Sequence, residues 1–331
     1  MKRYVLRRLF SLIPVLLGIT FLSFALMRLA GSDAVTEMYS GAGLAVSQEV
    51  VDAARAKLGL DKPFFVQYLS WLSGLLTGDM GASYVSGRDV FDTFLSKLPA
   101  TLLLAVMSVL LTVAVSIPLG VLAAVAHQKA GTARDSSVRS FCSLFDSVVR
   151  LGSFVGNSLP NFFVALLLMH FLAIRLGWLP VISSGVTLAG AIMPTLTLTI
   201  AMSAKYLRQV RAAVLDELSK DYVTGAKARG VADRVILTKS VLRSSLMTIV
   251  TLLALSVGSL LGGTAIVETI FMWDGVGKLA VDAIMMRDYP MIQAYVVWMA
   301  VIYMVVNLVA DLLYLVLDPR IRLEVERHDG V

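Results

Sequence analysis

The chain is poor in charged residues and nearly lacks cysteine and histidine. Asp, Glu, Lys and Arg make up 16% of its 331 residues, whereas a soluble domain has about a quarter. Cys142 is the single cysteine, which excludes an internal disulfide framework and a cysteine-based metal site. The three histidines, His127, His170 and His328, are scattered along the sequence. They do not supply the Ser/His/Asp set or metal cluster that an intramembrane enzyme would need.

Apolar sequence is abundant instead. Hydrophobic residues make up 57% of the chain and its mean hydropathy is +0.80. The composition therefore predicts an all-α integral membrane protein. The net charge is +6. In a membrane protein an excess of Lys and Arg marks cytoplasmic loops, so this charge does not indicate nucleic-acid binding.

Six runs without charged residues are each long enough to cross a bilayer as a helix. They cover residues 9–27, 98–126, 151–174, 176–204, 244–267 and 289–310. Glycines and a proline at the start of the fourth run favour a loop, so its helix is predicted to begin near Ala191 and to run past Arg208. A cleaved signal peptide is the alternative for the first run. The length of that run and the lack of a small-x-small site favour a retained helix.

The charge distribution predicts that both termini are cytoplasmic. In that orientation the inside segments hold 20 of the 29 Lys and Arg residues and the outside segments hold 9, in agreement with the positive-inside rule. The long outside segment is predicted to be a small extracytoplasmic element of short helices. The predicted layout is an N-terminal tail with the first span (1–30), an extracytoplasmic segment (31–97), a core with spans two to six (98–319) and a cytoplasmic tail (320–331).

A basic loop at residues 220–243 is the longest polar interruption in the second half of the chain. It carries six basic and two acidic residues around the small-residue run GAKARG. The pattern predicts a short helix, a glycine break and a second short helix that restarts near Ala232 with Asp233 in its first turn. Two interpretations are open. The loop is either an ordinary basic cytoplasmic loop or a surface where small residues let another protein approach the backbone.

Nine segments, in order along the chain, resemble the ATP-binding-cassette (ABC) importer permeases of the dipeptide/oligopeptide/nickel family, in particular the first, B-type permease of such systems. They are RYVLRRLFSLIPVLLG, KLGLDKPFFVQY, GDMGASYVSGRDV, LPATLLLA, SLPNFFVALLL, LGWLP, MPTLTLT, LLGGTAIVETIFMWDGVGKLAVDAIMMRDYPMIQA and LDPRIR. The resemblance covers nearly the whole chain. It implies a type I ABC importer-like fold, with residues 98–319 as the permease core, in a bacterial inner membrane.

The basic loop resembles the EAA loop through which such permeases contact their ATPases. Ala226 and Gly230 stand at its small-residue and glycine positions, whereas Thr224 and Gly225 replace the usual Glu and Ala. Three further departures are a missing Pro-Gly-Asp-Pro-like turn at 31–34, a loop at 128–145 about ten residues longer than expected, and no Leu-Pro at the end of the EAA helix. The resemblance implies an ATPase contact at Tyr222, Ala226, Arg229, Gly230 and Val231.

The family's mechanism implies several partners. A second, paralogous permease would complete the pore, two cytoplasmic ATPases would supply energy, and an extracytoplasmic binding protein would deliver cargo. The chain has no GxxxxGK[ST] phosphate loop, and its glycine-rich segment 260–264 lacks the lysine. The chain is therefore expected not to be an enzyme and to hold no cofactor, with ATP and Mg on the partner ATPases. Peptides, nickel, metal–metallophore chelates and glutathione-like compounds all remain open as cargo.

Polar residues within the spans indicate a functional or structural role, because their insertion into a bilayer costs free energy. Asn161 follows Pro160 near the middle of the third span and is predicted to line the pore. Glu268 closes the fifth span and either faces the pore or stabilises the helix end. Asp311 is expected to pair with Arg7 or Arg8.

Metal binding within the chain is not predicted. His170 is interpreted as a hydrogen-bonded core histidine, not as a metal ligand. The outer methionines are interpreted as packing residues.

Two other classes of membrane protein fit the sequence less well. An ATPase-independent secondary transporter or channel would carry a charged pair or acidic relay deep in several spans, whereas only isolated candidates are found. An intramembrane enzyme would need the catalytic cluster that is missing. Neither class explains the 220–243 loop.

Overall fold

A computed structural model describes residues 2–29, 47–57, 61–182 and 185–317. The helices are α1 (Lys2–Leu29), α2 (Gln48–Lys57), α3 (Phe64–Thr77), α4 (Val90–Thr132), α5 (Ser136–Ser158), α6 (Asn161–Leu168), α7 (Leu188–Leu218), α8 (Asp221–Ala228), α9 (Asp233–Val235), α10 (Leu242–Ile270), α11 (Val276–Met285) and α12 (Tyr289–Leu317). Two π-helical segments extend them: Met169–Arg175 continues α6, and Ile236–Val241 joins α9 to α10. Over these residues the only β-type pairing is a bridge between Ala82 and Asp89.

Five helical stretches in the described residues are long and apolar enough to cross a membrane. They are Phe10–Leu29, Val90–Thr132, Leu188–Leu218, Asp233–Leu253 and Tyr289–Leu312. The pair α5–α6 makes a sixth crossing if it is counted as one bent span. The prediction of six spans agrees with this count. The predicted tail at 320–331 and the departure at 31–34 lie outside the described residues.

The third span is not one continuous helix, in contrast to the prediction for residues 151–174. Its two segments, Ser136–Ser158 and Asn161–Arg175, are bent by 103° relative to each other. Pro160 lacks a backbone N–H, and Leu159 before it adopts an extended backbone with φ −80° and ψ 128°. The α conformation is disfavoured for a residue that precedes proline, so the chain leaves the helix at this point.

The fourth span begins at Leu188 and continues to Leu218, as predicted to within three residues at its start. The Thr187 hydroxyl accepts a hydrogen bond from the Gly190 N–H at 3.1 Å. This N-cap satisfies one of the backbone donors that a helix start leaves open. The same helix extends well past Arg208, so it carries the polar residues of its inner half without a break.

The chain divides into two compact units: residues 1–102 with 274–305, and residues 103–273 with 306–331, as far as they are described. In the first unit the short helix α3 packs on α1. The ring of Phe24 lies 5.4 Å from the ring of Phe64 and 5.6 Å from that of Tyr68, and the hydroxyls of Tyr68 and Thr20 are 3.0 Å apart. The predicted short helices of the extracytoplasmic segment are therefore present as α2 and α3.

A buried carboxylate holds the outer loop of the first unit. Asp288 is 4% exposed and accepts hydrogen bonds from the Ser83 hydroxyl at 2.5 Å and the Tyr84 N–H at 3.1 Å. Nearby, the Val276 N–H donates to the Thr101 hydroxyl at 2.9 Å. These bonds join segments that are far apart in the sequence.

Helix α7 is the centre of the second unit, where it packs against α5, α6 and α10. Its inner half contributes to a buried apolar cluster of Ala124, Val210, Val214, Leu218, Val223, Ile236, Val241 and Ile249. Gly120 of α4 faces this helix at very short range. A Cβ on Gly120 would lie 2.7 Å from Val210 Cγ1, so the close approach of the two helices depends on glycine.

Candidate functional site

The 220–243 loop forms a helix, a glycine turn and a second helix, as predicted. Helix α8 ends where Gly230 takes φ +78°, a left-handed conformation that favours glycine. The Gly230 N–H donates to the Lys227 carbonyl at 2.9 Å and the Val231 N–H to the Ala226 carbonyl at 3.1 Å. These bonds satisfy carbonyl groups at the helix end.

The second helix of the loop is not short, which differs from the prediction. Ala232 is extended and Asp233 begins α9. The π-helical segment Ile236–Val241 then leads into α10 without leaving the helical region, since Leu242 has φ −62° and ψ −41°. The loop therefore continues directly into the fifth membrane span.

Helix α8 is anchored to its own chain by one face. Val223 is 1% exposed and belongs to the apolar cluster of the second unit, and Ala226 packs against the same cluster. That cluster includes Leu218 from the end of α7 and Ile236 from the turn before α10. Helix α8 therefore packs directly on residues of both flanking spans. Ala226, predicted as a partner contact, is half buried against this cluster.

Glu217 fixes the start of α8. Its carboxylate accepts a hydrogen bond from the Tyr222 hydroxyl at 2.9 Å and forms an ion pair with Lys220. Partial burial and the Glu217 carboxylate raise the pKa of the Tyr222 phenol above its usual value of 10.0. The phenol therefore stays protonated at neutral pH and remains a donor.

The opposite face of the loop is open. Tyr222 is 40% exposed and Val231 38%, and Arg229 and Gly230 are also exposed. We call Tyr222, Arg229, Gly230 and Val231 the loop surface. It combines an aromatic ring, a guanidinium and an apolar side chain around a glycine turn, which suits contact with another protein. The structure thus places four of the five predicted contact residues on one accessible segment.

A polar depression of about 180 Å³ lies in the second unit. Its lining residues come from α5, α6, α7 and α10: Asn157, Asn161, Leu198, Ala201, Met202, Lys205, Tyr206, Leu260 and Gly263. The Asn161 amide nitrogen lies 3.6 Å from the position a Cβ on Gly263 would occupy. The Tyr206 hydroxyl donates to the Leu252 carbonyl at 3.0 Å. Asn161, predicted to line the pore, is therefore part of a concave polar surface.

Glu268 is placed differently from Asn161. It is 0% exposed and does not line the depression. This placement favours the second of its two predicted roles, stabilisation near the end of α10. Asp311 lies in α12, but the side chains of Arg7 and Arg8 are outside what the structure describes, so their predicted pairing stays a prediction.

His170 is exposed, so the prediction of a core histidine is wrong for this chain. Its ring contacts the ring of Phe171, with centroids 5.3 Å apart. The residue lies in the π-helical continuation of α6, beyond the buried Val164 and Ala165. In the described part of the chain no three His, Cys, Asp or Glu side chains are grouped to hold a metal ion.

An ion pair that the sequence analysis missed joins α5 to α7. Asp146 is 4% exposed and Arg211 16%, and two guanidinium nitrogens donate to the two carboxylate oxygens at 2.6 and 2.8 Å. His127 of α4 is 3.2 Å from the same carboxylate. The only local signal for this ion pair was an acidic residue, Asp146, within the amphipathic helix α5. Its partner Arg211 lies 65 residues away in the sequence.

Comparison with known proteins identifies the family of the chain. Residues 116–323 match the family described as the binding-protein-dependent transport system inner membrane component. Residues 1–105 match the N-terminal region of such membrane components. The chain belongs to this family. It is therefore a permease component of an ABC importer and a multi-pass inner membrane protein of bacteria.

Curated relatives cover almost the whole chain. The oligopeptide transport system permease protein AppB of Bacillus subtilis (strain 168) is 38% identical over 97% of this chain and 99% of its own length. The glutathione transport system permease protein GsiC of Escherichia coli (strain K12) is 34% identical with the same coverage. These matches confirm the resemblance to peptide-type ABC permeases.

A solved transporter confirms the fold. A chain of the inward-facing MetNI methionine ABC transporter superposes with a TM-score of 0.54 at 15% identity, covering 68% of this chain and 96% of that one. The predicted fold class, an all-α membrane protein with an ABC importer permease fold, is thus confirmed.

Proposed function

We propose that this chain forms one half of the pore of a peptide importer and that α8 transmits ATPase movement to the pore. A second, paralogous permease forms the other half. Two cytoplasmic ATPases bind ATP and Mg and drive the cycle, and an extracytoplasmic binding protein delivers cargo. The chain itself holds no cofactor and hydrolyses no ATP.

The observation that carries the proposal is the two-faced arrangement of α8. One face packs through Val223 and Ala226 on the cluster shared by α7 and α10. The other face presents Tyr222, Arg229 and Val231 to the surroundings. A protein that pushes on the exposed face moves two membrane spans together, because close-packed interiors transmit displacement as rigid bodies.

Each residue of the loop surface has a role in this contact. The Tyr222 ring and Val231 supply apolar area, Arg229 pairs with an acidic ATPase surface, and Gly230 keeps the turn. Ala226 lies on the buried face of α8, where its small side chain lets the helix lie close to the apolar cluster. Asn161 lines the cargo path, and Glu268 supports the end of α10.

A peptide is the cargo that the relatives favour. AppB is named for oligopeptides and GsiC for glutathione, and both kinds of compound contain amide bonds and ionised carboxylates. Asn157 and Asn161 offer amide donors and acceptors to such a backbone. Free or chelated nickel is a further outcome that the uptake experiment below distinguishes.

Co-purification from native membrane tests the assembly. The tagged chain is extracted in mild detergent and its partners are identified by mass spectrometry. A second permease and one or two ATPases are expected. Recovery of the chain alone, or only with copies of itself, overturns the proposal in favour of an ATPase-independent transporter.

Charge reversal at the loop surface tests the contact itself. Arg229→Glu is expected to lower ATPase recovery at least tenfold while the second permease is retained. Lys129→Glu is the matched control, because Lys129 is also an exposed cation near the inner end of a span but lies outside the loop. Equal ATPase recovery from the two variants would contradict the assignment of Arg229.

A further inference from the structure

Lys205 lies in the middle of α7 and not at its inner end. The charge-free run in the sequence stops at Ala204, but the helix continues past Arg208, as predicted, without a break to Leu218. At 1.5 Å per residue, Lys205 lies about 25 Å from the start of α7 and about 20 Å from its end.

The side chain of Lys205 borders the polar depression. It is exposed, and Asn157 and Asn161 line the same surface. No Asp or Glu lines the depression, and Lys205 has no ion pair with any residue in the described ranges. A cation and two amides facing hydrocarbon would be unfavourable, so this surface requires water or a polar ligand.

The depression extends along α7 from Leu198 to Tyr206. Its other wall includes Gly263, which lies only seven residues before the outer end of α10. Cargo that moves inward along this surface meets the asparagine amides and Gly263 before it reaches Lys205. The depression therefore offers hydrogen bonds along its length and one positive charge at its inner end.

We propose that Lys205 is a binding residue for an ionised carboxylate of the cargo during translocation. The proposal rests on the proposed function, since it assumes that the depression is part of the cargo path. A lysine ammonium suits a transient contact because it is a compact, strongly hydrated point charge on a flexible stem. The same charge repels a bare divalent cation, so the site selects for anionic or zwitterionic cargo such as a peptide.

The first experiment measures the charge of the path without needing the cargo. The complete complex is reconstituted in nanodiscs with Cys142→Ser, which removes the native thiol, and Met202→Cys, which adds a reporter in the depression. Rates are measured for an anionic sulfonatoethyl and a cationic trimethylammonium-ethyl methanethiosulfonate. Lys205→Gln is expected to lower the anionic-to-cationic rate ratio about tenfold, since one nearby charge acts with opposite sign on the two reagents.

Lys129→Gln is the matched control and should leave the rate ratio unchanged, because Lys129 does not line the depression. An unchanged ratio in Lys205→Gln overturns the proposal. An unreactive reporter also overturns it, because the depression would then face lipid or the second permease instead of water.

The second experiment restores the charge chemically and measures transport. Proteoliposomes carry the complex with Cys142→Ser and Lys205→Cys, and uptake of tritiated trialanine is followed. Lys205→Cys is expected to lower uptake about tenfold, and modification by aminoethyl methanethiosulfonate should restore it. Equal recovery with the neutral methyl reagent would show that side-chain size matters and not charge, which contradicts the proposal.

Failure of the proposed function gives a different experimental result from failure of the Lys205 proposal. If the complex with the natural Lys205 does not take up trialanine, the peptide assignment fails, and uptake of radioactive nickel is then measured. The reagent-rate experiment still decides whether Lys205 makes the path attractive to anions.

Discussion

Arg211 donates two hydrogen bonds to the buried carboxylate of Asp146, at 2.6 and 2.8 Å. The pair joins α5 to α7, and His127 of α4 approaches the same carboxylate at 3.2 Å. A bidentate guanidinium–carboxylate contact fixes orientation as well as distance. These three helices therefore keep one arrangement close to the apolar cluster on which α8 rests.

Removal of the guanidinium should destabilise the protein strongly. Arg211→Met leaves Asp146 buried without its main partner, and breaking a buried pair on one side costs about 3–5 kcal/mol. Thermal unfolding in nanodiscs should show a large decrease in stability. The matched control Arg208→Met changes an exposed arginine of the same helix and should have a small effect.

The double variant Asp146→Leu/Arg211→Met separates the ion pair from packing. Replacing both members of a buried pair by apolar residues is often neutral or stabilising, so the double variant should be more stable than Arg211→Met alone. A double variant that is as unstable as the sum of the two single variants would show that the pair carries no coupling.

Two glycines of the loop should respond to alanine with opposite signs. Gly230 has φ +78°, where a side chain costs about 1–2 kcal/mol, so Gly230→Ala should destabilise the turn. Gly225 lies inside α8, and a Cβ there would lie 3.4 Å from the Arg229 Nη1 atom, an ordinary contact. Gly225→Ala should therefore stabilise the helix by about 0.5–1 kcal/mol.

Unfolding measurements on the two variants, combined with ATPase co-purification, check this prediction. Gly230→Ala should lose ATPase and stability together, whereas Gly225→Ala should keep both. Loss of ATPase in Gly225→Ala with unchanged stability would show that the partner packs directly on Gly225.

Local signals predicted the parts of the structure that local interactions determine. The glycines and the proline at the start of the fourth run placed the start of α7 to within three residues, and Gly230 marked the turn of the loop. The charge-free runs located the spans because a bilayer requires continuous apolar helices. The bend at Leu159 was not predicted, although Pro160 follows it. A proline indicates that a helix can break, but the angle between the two segments depends on tertiary packing.

The missing parts of the site depend on contacts between distant segments. Asp146 and Arg211 are 65 residues apart, so no window along the chain joins them. Lys205 follows the last residue of the fourth charge-free run and was not predicted as a site residue, although the helix was predicted to run past Arg208. Its position in the depression follows from the helices that surround α7, which only the folded chain reveals.

The hydrogen bond between Tyr222 and Glu217 should contribute to stability only while the phenol is protonated. Its pKa is raised above 10.0 in the folded chain, so folding favours the protonated form. Stability from this source is fully present below pH 10 and is lost as the pH rises through the folded pKa. Tyr222→Phe should therefore lower stability by about 1 kcal/mol at pH 7.

Thermal unfolding of the natural chain and of Tyr222→Phe, measured between pH 7 and 11, checks this prediction. The difference in stability between the two proteins should narrow above pH 10. Tyr303→Phe, which removes an exposed hydroxyl, is the control. A difference that stays constant over the whole range would contradict the hydrogen bond to Glu217.

Gly120 should tolerate no side chain while Val210 faces it. A Cβ at this position would lie 2.7 Å from Val210 Cγ1 and 3.1 Å from the Leu207 carbonyl oxygen, so Gly120→Ala must move α4 away from α7. Overpacking of this kind costs about 1–3 kcal/mol. Gly152→Ala is the matched control, since nothing lies within 4 Å of its Cβ position, and it should stabilise α5 slightly.

A second change distinguishes this clash from a general loss of glycine flexibility. Val210→Gly removes both Val210 atoms that the new Cβ would meet, Cγ1 at 2.7 Å and Cβ at 2.8 Å, at the cost of a small cavity. The double variant Gly120→Ala/Val210→Gly should therefore be more stable than the sum of the two single effects predicts, by about 1 kcal/mol. Strict additivity would mean that α4 and α7 are not in close contact at Gly120.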